Sequence, residues 1–186
     1  MNEEKVGSGD RWIPDDEYTA ITKRIPILCV DVLPLRTKPH PAIGLIFRET
    51  YNGGRGWCLV GGAVLHNEPL PYALRRHVST TLGEWASIEV STLKLADVIE
   101  YFTEPNLGDF YDPRKHAVAL TYIAEVKGSI VPMGEALKFQ WFAHDELPEP
   151  NSFGFGQERV VQRLLRYLRD RAPSLLLGTD RDQAED

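Results

Sequence analysis

The sequence predicts an α/β fold, a mixed β-sheet core sandwiched between helices, on three observations. Branched apolar runs of strand length recur through the middle of the chain, and turn-rich segments separate them. Two longer stretches instead repeat their apolar residues at helical spacing. The 186 residues suit one domain with a sizeable core, and 42% apolar against 26% charged residues is an ordinary globular mixture. A net charge of −6 argues against general nucleic-acid binding, which depends on neutralising phosphates. No stretch nears the roughly 20 apolar residues of a membrane span, and "MNEEKVGSGD" lacks the apolar core of a signal peptide. A cytoplasmic protein is therefore expected, with neither nucleic acid nor membrane as partner.

The expected domain covers residues 16–175, between a flexible tail at 1–15 and an acidic one at 176–186. "IPILCVDVLPL" and "PAIGLIF" are strand-like and are joined by the turn material "RTKPHP". "GWCLV" is a third short run; "VSTLKLADVIEYFT" opens with period-two alternation, and "HAVALTYIAEV" is the clearest strand of the chain. "LKFQWFA" is the last run before "HDELPEP". Cys29 and Cys58 lie inside apolar runs and are expected as buried free thiols. A first helix is predicted over Pro69–Leu82: proline suits an early helical position, Leu70, Ala73, Leu74 and Val78 form one stripe, and Gly83 ends it. A second is predicted over Gln157–Arg171, with Val160, Val161, Leu164, Leu165 and Leu168 on one face.

Function is most legible just before the first helix. A Gly61–Gly62 pair leaves its backbone groups unshielded, open to a phosphate or a metal. Gly62 is separated by five residues from Glu68, and Glu68 by seven from Arg76; Val78 and Gly83 follow. This pattern resembles the Nudix box, the signature of the Nudix hydrolases. Five of its nine fixed positions match, while His77, Thr80 and Thr81 stand where three helix glutamates belong. The order of the strand runs, Trp57 ahead of the glycines and "FQWFAHDELPE" extend the resemblance over about residues 20–170. Within that superfamily the chain is similar to the GDP-mannose mannosyl hydrolases, which also open with a short helix before a proline-led strand ending in aspartate.

The resemblance implies hydrolysis of a nucleoside diphosphate joined to a sugar or similar group, aided by Mg²⁺ or Mn²⁺. By it, Glu68, Arg76 and His77 are the catalytic candidates, and Gly62, Glu68 and Glu135 the metal ligands. Asp31, Arg48, Tyr111, Arg114, Lys115 and His116 are the candidate substrate-binding residues, and a homodimer formed through the N-terminal segment is implied. Positions 77, 80 and 81 share one helix face, and with His77, Thr80 and Thr81 that face has lost three negative charges. Threonine is a weak ligand for hard Mg²⁺, and imidazole suits softer metals, so at most one weakly held ion is expected. Each candidate also has a structural reading: Glu68 favouring a helix N-terminus, Arg76 bracing, His77 packing, Glu135 in a loop. The alternative function is a Nudix-like module that binds a nucleotide or a protein without catalysis.

Overall fold

The structure is a computed structural model that describes residues 13–177. The expectations for residues 1–12 and 178–186 lie outside the described residues. Helix α1 (Asp15–Thr22) corresponds to the short opening helix that the resemblance implied. Asp15, Asp16 and Glu17 occupy its first turn, where carboxylates complement the helix dipole. Strand β1 (Ile27–Arg36) follows, and its near-continuous apolar run is explained by burial on both faces: Val30, Val32 and Leu33 are each 0% exposed.

β2 (Ala42–Glu49) returns antiparallel to β1, but only Leu35 and Arg36 of β1 pair with it. The two strands then part. The run from β3 (Arg55–Cys58) to β4 (Val60–Ala63) crosses between them: β3 pairs with β2, and β4 pairs with β1. The break is at Leu59, whose N–H donates to the side-chain oxygen of Gln157 at 2.7 Å instead of to a strand. This crossing sets Gly61 opposite Asp31 and Gly62 opposite Val30.

Helix α2 (Leu70–Leu82) comes next, then the short β5 (Ser87–Ile88) and β6 (Lys94–Phe102). The predicted strand from Val90 begins later than expected, because Val90–Thr92 forms a turn of 3₁₀ helix braced by the Glu89 side chain. β7 (Phe110–Tyr111) adds a brief edge to β6. β8 (Ala117–Lys127) runs parallel to β1 and antiparallel to β6, and β9 (Lys138–Phe142) pairs with β2. Helices α3 (Gln157–Arg171) and α4 (Pro173–Leu177) close the chain. Asp15 and Leu177 thus carry helix slightly beyond the expected 16–175 boundaries.

Alternation along β1 separates two cores. Val30 and Val32 face α2, packing with Ala73, Leu74, Val78 and Leu82. Leu33 and Leu35 face α3 and its Val160, Val161, Leu164, Leu165 and Leu168. Each fully buried aliphatic side chain of this kind contributes about 1.5–3 kcal/mol before entropy is counted. The sheet is therefore a mixed one between helices, as the sequence predicts.

Candidate functional site

Where β1, β4, α2, the start of β8 and the loop before α3 meet, they enclose a cavity of about 460 Å³. Asp31 and Gly62 line it from the sheet, His77, Thr80 and Thr81 from α2, and Arg48, Arg114, Lys115 and Glu135 from the surrounding loops and strand ends. The glycine pair is required by close approach. A Cβ on Gly61 would lie 2.2 Å from both Asp31 Oδ1 and the Val30 carbonyl. One on Gly62 would lie 2.7 Å from His77 Cε1, so the absent side chain admits the imidazole.

Glu68 does not face this cavity. Its carboxylate accepts Arg76 Nε at 2.7 Å, Arg76 Nη2 at 2.8 Å and the Leu65 N–H at 3.0 Å, and its side chain is 4% exposed. Those hydrogen bonds from Arg76 hold the Glu68 carboxyl below its usual range. Arg76 also donates to the Ala63 carbonyl at 2.9 Å. The expected catalytic and metal-binding role of Glu68 is therefore corrected: with Arg76 it fixes β4 to α2. Arg76 reaches the cavity wall, but its guanidinium is committed to this brace. His77 Nε2 lies 3.0 Å from the same Ala63 carbonyl. A carbonyl only accepts, so Nε2 carries the proton and Nδ1 is left as the acceptor. Burial pushes the His77 pKa down and favours this neutral ring.

The cations are arranged around one aromatic ring. Arg48 pairs with Glu135 at 2.5 Å, and Arg114 binds Asp112 through two hydrogen bonds of 2.9 and 2.7 Å. The Arg48 and Arg114 guanidiniums lie 5.5 and 4.6 Å from the Phe155 ring centre. Lys115 differs: its Nζ donates to the Tyr18 hydroxyl at 3.2 Å and has no carboxylate in ion-pair range among the described residues. Burial pushes the Asp31 carboxyl up to about 7, with Lys115 and Arg48 opposing the shift and Glu135 reinforcing it. Burial likewise raises Glu135, against Arg48, Arg114 and Lys115. Cys29 and Cys58 also line the cavity, free and buried as expected. Burial lifts their thiols to about 11 and about 12, so both stay protonated.

Two predicted substrate-binding residues lie elsewhere. Tyr111 belongs to a separate groove, its ring 6.4 Å from Tyr51 in a T-shaped contact, because β7 holds it against β6. His116 stacks on Phe102 at 4.8 Å and does not line the cavity, whereas its neighbour Lys115 does. Conversely, Phe155 and Tyr18 carry weight that the sequence did not reveal. The signal for Phe155 was only its place between two glycines in "FGFGQ".

The residues present do not fit the metal cluster implied by the resemblance. Mg²⁺ asks for near-octahedral oxygen ligands at about 2.1 Å. Among the described residues, no group of three His, Cys, Asp or Glu side chains is placed to hold an ion. Of the expected ligands, Gly62 and Glu135 border the cavity, whereas Glu68 is turned to Arg76 and Glu135 is paired with Arg48. On α2, Thr80 Oγ1 donates back to the Arg76 carbonyl at 2.8 Å, and Thr81 is 3% exposed.

Comparison with known proteins accords with this architecture. Residues 8–168 match a family described as a domain of unknown function, DUF4916. A solved structure from Jonesia denitrificans, described as a possible asymmetric diadenosine tetraphosphate hydrolase, is 32% identical. The match covers 81% of this chain and 98% of that one, with a TM-score of 0.71. The MutT Nudix hydrolase of Burkholderia pseudomallei is 24% identical over 75% of this chain and 98% of its own, with a TM-score of 0.58. The low-salt glycan biosynthesis protein Agl8 of Haloferax volcanii is 38% identical over 77 residues. That match spans 41% of this chain and 47%, about half, of the length of Agl8. On the extent of the family match and the shared architecture, the chain belongs to the DUF4916 family and has the Nudix hydrolase fold.

Proposed function

We propose that the cavity binds a nucleoside diphosphate joined to a sugar or similar group and hydrolyses it. The observation that carries this reading is the grouping of Arg48, Arg114 and Lys115 around Asp31 and Glu135, two carboxyls whose affinity for protons is raised by burial. The cations suit a diphosphate, whose charge grows on the leaving side as a bond to it breaks. A carboxyl that titrates near neutrality suits a general base, and Asp31, lifted to about 7, takes the proton of the attacking water in this scheme. The 32% identical hydrolase relative and the match to a glycan biosynthesis protein support the substrate class. A homodimer joined through the N-terminal segment belongs to the same reading.

A second reading, binding without cleavage, is favoured by the α2 face, where His77, Thr80 and Thr81 offer no carboxylate. One experiment separates the two. The protein is incubated with GDP-mannose, UDP-glucose, ADP-ribose and diadenosine tetraphosphate, while binding is followed by calorimetry and products by chromatography. Binding with turnover that Asp31→Asn abolishes supports the hydrolase. Binding with no product supports the second reading, and no binding to any of the four overturns both.

A further inference from the structure

Resting on that reading, we infer that Lys115 takes the place of a divalent cation, so the cavity binds its diphosphate ligand without any metal. The Nudix-like cavity has lost the carboxylates that would gather a cation, and it has gained a fixed one. Arg76, Arg48 and Arg114 each form an ion pair, with Glu68, Glu135 and Asp112 respectively. Lys115 forms none among the described residues, although Asp31 and Glu135 both lie within reach of its charge. An ammonium has three N–H donors, and one is used on the Tyr18 hydroxyl at 3.2 Å. The two others are left for an anion at the cavity wall that Lys115 lines.

Its position is held from outside the cavity. The Nζ lies 5.8 Å from the centre of the Tyr18 ring, out beyond its hydroxyl, so α1 supplies the acceptor that holds the ammonium. The backbone is fixed on the next residue, where the His116 carbonyl accepts the Ile27 N–H at 2.9 Å at the start of the β1–β8 pairing. Lys115 is half-buried. A long cationic side chain anchored at both ends and shielded from water loses little freedom when an anion arrives, which is what a resident metal otherwise provides. Tyr18 is thus a positioning residue, acting through Lys115.

The sign of the metal effect distinguishes this arrangement from a metal-dependent one. Mg²⁺ added to a metal-dependent site tightens diphosphate binding. Here it competes with Lys115 for the same charge and leaves affinity unchanged or weaker. The test is calorimetric titration of the full chain with GDP-mannose, and separately with inorganic pyrophosphate, in excess EDTA and then in Mg²⁺. Equal or tighter binding in EDTA is expected. Lys115→Met, which keeps an unbranched side chain of similar length and removes the ammonium, should weaken binding in EDTA about tenfold or more, the worth of one charge-assisted hydrogen bond. Lys115→Arg should retain most of the affinity, and melting curves of both variants should match the parent. Binding that appears only with Mg²⁺, or that survives Lys115→Met, overturns the inference while leaving the proposed ligand class standing. Failure of both probes to bind in either buffer overturns the inference, and the four-compound panel then decides the proposed function separately.

Discussion

Arg76 and His77 are neighbours on α2, yet they belong to two different inheritances. Arg76, with Glu68, ties the helix to β4 through bonds of 2.7–2.9 Å, where the resemblance implied catalytic and metal-binding roles. His77 begins a face on which the expected carboxylates are absent, and its ring rests on Gly62 instead. The brace is a packing device: removing Arg76 leaves the Glu68 carboxylate, 4% exposed, without its main partner. The outward face is a chemical device: exchanging its residues leaves the helix standing. A chain can therefore keep the architecture while its metal chemistry changes, and the two regions should respond differently to substitution.

The largest effect is expected at the brace. Arg76→Ala strands the Glu68 carboxylate, whose side chain is 4% exposed, with only the Leu65 N–H as donor. Breaking a buried pair in this way costs about 3–5 kcal/mol, which for a domain of this size lowers the melting temperature by roughly 10 °C. The pH dependence has a definite sign. Arg76 depresses the Glu68 pKa in the folded state, so its stabilisation is present above the unfolded value of about 4.3 and is lost as pH falls through the folded one. Parent and variant should therefore differ in thermal melts at neutral pH and converge in acid. A variant as stable as the parent at pH 7 would remove the brace from the comparison.

How much of this was readable beforehand divides along the same line. The brace was legible only in part: bracing is the structural reading of Arg76, but its partner Glu68 precedes α2 and was expected at the metal. The strands of the core were legible from β-branched runs, and α3 was predicted to the residue from its apolar stripe. The cation cluster was readable only in part. Arg48, Glu135 and Lys115 lie on three separate segments, and which of them meet depends on the parting of β1 and β2, which no local pattern encodes. His116 and Lys115 are adjacent just ahead of β8, yet Lys115 lines the cavity and His116 stacks on Phe102, a division that no periodic pattern marks. Tyr111 was misplaced because a two-residue strand has too little pattern to reveal itself.

An effect of intermediate size is expected at Asp31, on the strand side of the cavity. Its folded pKa of about 7 exceeds the unfolded value of about 3.9, so the folded state holds its proton more tightly. Stability from this group is fully present below about pH 4 and is lost as pH rises toward about 7, because the unfolded chain ionises first. Asp31→Asn keeps the shape against Gly61 and removes the titration. It should be more stable than the parent by one to a few kcal/mol at about pH 8 and no more stable at about pH 4, as read from urea denaturation at each pH. A constant difference between the two proteins across that range would show that burial of Asp31 is not what sets its pKa.

The smallest change in stability, and the sharpest test of the comparison, comes from restoring charge to the outward face of α2. Thr80 is exposed and His77 half-buried, so His77→Glu with Thr80→Glu places two carboxylates one turn apart on the same side of the helix. Neither position takes part in the Glu68–Arg76 brace. The like-charge pair costs a few tenths of a kcal/mol at the helix surface, and loss of the His77 bond to the Ala63 carbonyl adds about 1 kcal/mol. In return the cavity gains hard oxygen ligands beside the Gly62 carbonyl. Calorimetry and electron paramagnetic resonance should detect no Mn²⁺ binding by the parent, and binding by the variant at about millimolar affinity, equivalent to about 4 kcal/mol. If parent and variant bind Mn²⁺ alike, the missing carboxylates are not what distinguishes this face from the brace beside it, and the separation of architecture from metal chemistry along α2 fails.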